Sequence, residues 1–165
     1  MGISIQYRSL HPVGAEQADA VRDAAHEANA GRTWLSCEPV SFYPKEIAKS
    51  EHLLGSSKPN LSPHPDDVES ASRMDLPDGS FQNVLEILCR LSREFQIDWE
   101  IQNDFVPNSV SYIRGGECDS NLNDLAETIS DVSQFLEELE SGALVEEGKE
   151  GFEDDEDSGP HILRF

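Results

Sequence analysis

Between Ser80 and Ile101 the apolar residues follow first one period and then another. Phe81, Val84, Leu85, Leu88, Leu91 and Phe95 recur at three- and four-residue steps, while Gln82, Asn83, Glu86, Arg90, Arg93 and Glu94 fill the opposite face, which predicts an amphipathic helix. After Gln96 the period becomes two. Ile97, Trp99 and Ile101 alternate with Asp98, Glu100 and Gln102, the pattern of a strand with one face on a core and one in water. Asp78-Gly79-Ser80 supplies a turn and an N-cap for the helix.

Upstream, Ile3 and Ile5 alternate with Ser4 and Gln6 and lead into Tyr7, predicting a first strand that His11-Pro12-Val13-Gly14 ends. Ala18, Val21, Ala25 and Ala28 make a narrow stripe over 15–29, a helix whose small side chains allow close approach to a sheet. Gly31 is placed to stop that helix in a left-handed conformation. Trp34 to Phe42 reads as a second strand, near a sheet edge because Pro39 lies inside it.

From Tyr43 to Asp78 the pattern is irregular, with Pro44, Pro59, Pro63, Pro65 and Pro77. Leu53-Leu54-Gly55 and Met74 to Leu76 are its two candidate strand fragments. A connection this long is uncommon unless it is functional or hides short strands, so it is the default location for a site.

Downstream, Val110 and Tyr112 alternate with Ser111 and pair with the preceding strand as a hairpin, which Arg114-Gly115-Gly116 ends. Asp119 or Ser120 caps a last helix in which Leu122, Leu125, Ile129, Val132, Leu136 and Leu139 repeat in steps of three and four. Phe135 widens that stripe toward a globular face. A seam of nearly three heptads also admits a homodimer as the alternative to a monomer.

These elements predict an α+β fold with a mainly antiparallel sheet and helices packed on one face, in the order β-α-β-(irregular)-α-β-β-α. One domain is expected over 1–141, followed by an acidic, flexible tail over 142–165 with an apolar end.

Composition changes the picture in one direction. The 165 residues carry 33 acids against 12 lysines and arginines, a net charge of −21, with 37% hydrophobic residues. Removing 146–165 leaves 25 acids against 10 bases, a net of −15, so the body is acidic as well as the tail. Such a field repels phosphate backbones and anionic membranes and attracts basic proteins. The expected partner is a basic protein; nucleic acid and membrane are not expected as partners. Cys37, Cys89 and Cys118 are odd in number and widely spaced, with no metal-ligand pairing in the sequence. Met1 to Leu10 lacks the pattern of a signal peptide and no stretch has the length of a membrane span. A cytoplasmic protein is expected.

The sharpest local motif is His64-Pro65-Asp66-Asp67, preceded by Pro63. It resembles the proline-histidine-proline-aspartate-aspartate signature of the zinc-dependent N-acetylglucosamine deacetylases of the LmbE-like family. The resemblance implies His64 and Asp67 as metal ligands and Asp66 as the base that deprotonates a zinc-bound water. It covers five residues. The chain departs from the family pattern where Ser56 to Ser62 replaces a buried apolar strand, where Val68 stands in place of a glutamate, and where His161 is the sole downstream histidine. In a purely structural role, Asp66 or Asp67 caps a short helical turn.

Asp98 and Glu100 project from one strand face about 7 Å apart, suited either to acid/base chemistry or to pairing with a base on a neighbouring strand. Cys89 lies beside the core-facing Leu88 and reads as packing. No residue is assigned a catalytic role, and no cofactor is expected. The tail's Ile162, Leu163 and Phe165 form an apolar ending able to add to a sheet edge or fill a groove. The leading expectation is therefore a non-enzymatic interaction or regulatory module, with a metal-dependent, deacetylase-like hydrolase built on His64, Asp66 and Asp67 as the alternative.

Overall fold

The computed structural model describes residues 3–106 and 108–142. It contains one antiparallel sheet of six strands in the order β2-β3-β1-β4-β5-β6. In chain order the elements are β1 (Ile5–Ser9), α1 (Ala15–Asn29), β2 (Ser41–Phe42), α2 (Lys45–Ala48), β3 (Leu54–Ser57), α3 (Pro65–Ser72), α4 (Phe81–Phe95), β4 (Trp99–Asn103), β5 (Val110–Arg114), β6 (Glu117–Cys118) and α5 (Ser120–Glu140). With α2 and α3 as insertions, the part from β1 to β4 has the β-α-β-β-α-β connectivity of the ferredoxin-like motif, its first strand lying between the third and fourth. The β5–β6 meander extends it. The α+β class and the helix-covered sheet face are as the sequence predicts.

Alternation along the strands assigns the two sheet faces. Ile5, Tyr7 and Ser9 of β1, Trp99 and Ile101 of β4, and Ser111 and Ile113 of β5 are buried. Gln6, Arg8 and Gln102 on the other face are exposed. The buried face meets Val84, Leu85, Leu88 and Leu91 of α4, Val21 of α1 and Leu122 and Ile129 of α5 in one core. Helix α1 has its main tertiary neighbours in α4 and β2. Helix α4 begins with a reciprocal box in which the Ser80 N–H donates to Asn83 Oδ1 at 3.0 Å, and it ends at Gln96 with φ 56°.

Several sequence expectations change. The stretch from Trp34 to Phe42 forms a strand only at Ser41–Phe42, plus an isolated bridge from Cys37 to Pro59. Trp34 has φ 54°, incompatible with an extended strand, and its indole N–H donates to the Asn29 carbonyl at 2.8 Å. β2 does lie at a sheet edge. Gly31 is not left-handed; Ala30 closes α1 in the right-handed region. Met74 to Leu76 is a turn with Met74 exposed, because no strand partner reaches it. Leu54–Ser57 is an interior strand, and the irregular segment resolves into α2, β3 and α3. β6 is a strand that the sequence pattern missed.

Asp119 joins β5 to α5. Its Oδ2 accepts the Tyr112 N–H at 2.7 Å, and its Oδ1 accepts the Leu122 N–H at 2.9 Å as the N-cap of α5. Asp119→Ala leaves both donors without their partner and is expected to cost about 1–3 kcal/mol in chemical denaturation. A loss of only a few tenths would show that water replaces both bonds.

Candidate interaction surface

Helix α5 is packed along half its length. Leu122, Leu125, Ala126 and Ile129 are buried, and their three- and four-residue spacing continues into Val132, Phe135, Leu136 and Leu139. In this second half the cover ends. Val132 and Leu136 are half-buried, whereas Phe135 is 54% exposed and Leu139 is also exposed.

The loop after β4 extends this apolar surface. Asn103 Oδ1 accepts the Val106 N–H at 2.7 Å, forming a side-chain turn, and Asp104 Oδ1 accepts the Ser4 N–H at 2.7 Å. These bonds hold a loop on which Phe105, 49% exposed, and Val106 stand uncovered. Phe105 and Thr128 line two adjoining concavities. One, of about 430 Å³, is walled by Ile3, Leu61, Phe105, Ile129 and Val132 with Asp104 at its edge. The other, of about 260 Å³, includes Val106, Leu125 and Asp124. Ser62 Oγ donates to Glu140 Oε1 at 3.0 Å, tying the loop that carries Leu61 to the end of α5.

Helix α5 itself carries one sign of charge. Asp124, Asp131 and Glu138 recur every seven residues along one flank of the α5 stripe. Glu127, Glu137 and Glu140 occupy further positions of the helix, and no lysine or arginine occurs between Arg114 and Lys149.

His64, Asp66 and Asp67 lie elsewhere, at the start of α3. The His64 imidazole Nδ1 accepts the Asp66 N–H at 3.3 Å, so His64 is the cap and the aspartates occupy the first turn. All three are exposed, and among the described residues no group of three or more His, Cys, Asp or Glu side chains is placed to hold a metal ion. His161 lies outside the described residues, as do Ile162, Leu163 and Phe165. Among the described residues no helix is long and apolar enough to cross a membrane.

Asp98 and Glu100 are engaged separately. Asp98 Oδ1 accepts the Gly115 N–H at 3.0 Å, which holds the β5–β6 turn, and Glu100 pairs with Arg8 of β1 at 3.3 Å. The half-exposed ion pair contributes little to stability. A third concavity, of about 400 Å³, lies between α1 and the segment from Phe42 to Leu53. Arg22 spans it, donating to Asp19 Oδ1 and the Tyr43 carbonyl, both at 3.1 Å.

The structure also joins two cysteines that the sequence keeps apart. Cys89 Sγ of α4 and Cys118 Sγ of β6 are 3.5 Å from each other. The S–H of Cys118 hydrogen-bonds to the Cys89 sulfur and holds the Cys89 thiol below its ordinary range, against the effect of burial and with help from the Arg93 charge. The same bond and burial push Cys118 up. No signal in the sequence points to this pair.

No family model matches the chain, and no curated protein or solved structure matches it.

Proposed function

We propose that this protein is an interaction module that binds a basic, amphipathic segment of another protein along the second half of α5. The carrying observation is an apolar stripe, half-buried at Val132 and Leu136 and exposed at Phe135 and Leu139, continuous with the Phe105 concavity and flanked by acids with no cation on the helix. Apolar burial supplies affinity for such a segment, while the acidic flank selects its charge and speeds its arrival. Charge separates this occupant from two others. A second copy would set one acidic α5 against another. The chain's own tail carries eight acids and one lysine between 146 and 157, and docking it there would set them against the same acids. Both pairings oppose like charges.

The test uses the full chain and two synthetic helical peptides with the same leucine stripe, one with lysines and one with glutamates on the polar face. Fluorescence anisotropy is expected to show binding of the lysine peptide only, weakening with salt because exposed charges are screened over about 8 Å at physiological ionic strength. Changing Phe135 and Leu139 together to Ser is expected to weaken binding about tenfold or more while leaving the melting temperature nearly unchanged. Equal binding of both peptides, or binding indifferent to these substitutions, rejects the reading. Sedimentation that reveals a dimer lost with the double substitution assigns the stripe to a second copy. Stronger peptide binding after Ile162, Leu163 and Phe165 are changed to Ser assigns it to the tail.

A further inference from the structure

The thiols of Cys89 and Cys118 meet at 3.5 Å from opposite sides of a structural seam. Cys89 stands in the interior of α4, almost wholly covered, and Cys118 is half-exposed on β6. β6 is two residues long and, among the described residues, forms the outer edge of the sheet with β5 as its one strand neighbour. It follows a tight turn in which Gly115 and Gly116 have φ 56° and 81°. Arg93, one helical turn beyond Cys89, lays its side chain against Gly116, where a Cβ would collide with it. The Arg93 charge favours the Cys89 thiolate, whereas those of Glu86 and Glu117 oppose it. The third cysteine has none of these features: Cys37 is buried, and burial pushes its thiol up to about 12.

We propose that Cys89 and Cys118 form a redox-active dithiol that peroxide converts to a disulfide, fastening α4 to β6 and to the start of α5. The Cys89 thiolate attacks one oxygen of hydrogen peroxide. The O–O bond breaks, the departing hydroxide takes a proton and leaves as water, and Cys89 is left as a sulfenic acid. Cys118 then attacks the Cys89 sulfur; the S–O bond breaks as the S–S bond forms, and the Cys118 proton leaves with the hydroxide as a second water. The pair gives up two electrons and peroxide accepts them. To bond, the sulfurs close by about 1.5 Å, a distance that side-chain rotation and a small shift of the edge strand supply. Because Cys118 directly precedes Asp119, the N-cap of α5, the disulfide also anchors the helix that carries the apolar stripe.

The test treats the full chain with hydrogen peroxide, alkylates the remaining thiols and maps the peptides by mass spectrometry. The expected result is a linked Cys89–Cys118 peptide formed at least about tenfold faster than any oxidation of Cys37. A melting temperature raised by roughly 5–10 °C and restored by dithiothreitol is expected to accompany it. In Cys118→Ser, whose hydroxyl replaces a half-exposed thiol, Cys89 is expected to stop at a sulfenic acid that dimedone traps. Similar oxidation rates for all three cysteines overturn the proposal. So does conversion of Cys89 to sulfinic acid with Cys118 still free, or the lack of a dimedone adduct on Cys89 in Cys118→Ser.

Discussion

Trp99→Ala is expected to lower the unfolding free energy by about 3–5 kcal/mol, measured by urea denaturation, the range for emptying a fully buried large aromatic position. Trp99 is fully buried. Its ring stacks on Phe42 with centroids 5.6 Å apart, and Phe42 meets Tyr7 edge-on at 5.5 Å, so one aromatic row connects β4, β2 and β1. The indole N–H donates to the Leu88 carbonyl of α4 at 3.1 Å. Truncation therefore removes apolar contact, opens a cavity between sheet and helix, and deletes a buried hydrogen bond. Glu86→Ala, on the exposed face of α4, is the matched control and is expected to stay within about 0.5 kcal/mol. If the two variants unfold at the same denaturant concentration, the assignment of the β4 faces is wrong.

Gly55→Ala is expected to destabilise by about 3 kcal/mol, the reverse of the usual small gain when alanine replaces glycine inside a strand. Gly55 lies in β3 opposite Tyr7 on one side and Phe42 on the other. A Cβ there would collide with the Tyr7 ring and with the Ser41 carbonyl, and would press on the Phe42 ring. Of these, only the rings can move, and moving Tyr7 breaks a buried knot. Its hydroxyl accepts the Ser41 N–H at 2.8 Å and stands 2.9 Å and 3.0 Å from the Ser41 and Ser56 carbonyls, of which it can donate to one. Burial pushes the Tyr7 phenol up, so it remains a neutral donor at physiological pH. Near-ultraviolet circular dichroism should lose intensity along with stability. A neutral or stabilising Gly55→Ala would mean that β3 pairs in another register.

Neither of these effects depends on a functional assignment, and the contrast between them marks how much was readable in advance. The face of Trp99 follows from alternation with Asp98 and Glu100, a pattern complete within a few residues. The cost at Gly55 depends on Tyr7 and Phe42, which reach it from two other strands. The candidate surface divides in the same way. The apolar stripe of α5 is legible through Leu139, but its spacing is identical on both sides of Ile129, and nothing local marks where the cover stops. Phe105 and Leu61, which complete the concavity, belong to loops without periodicity.

By itself, the sequence determined the elements whose burial is periodic: β1, α1, α4, β4, β5 and α5. It also determined the acidic sign of the surface, because a side-chain period and a charge count are local properties. Tertiary structure alone decided that β3 runs through the sheet and that β6 exists, since strands of two to four residues are created by the partner's hydrogen bonds rather than by their own pattern. It also decided which half of α5 lies uncovered. And it placed Cys89 against Cys118 across a separation of 29 positions in the chain, a proximity produced by docking a helix on a sheet edge, to which no residue's neighbours in sequence contribute.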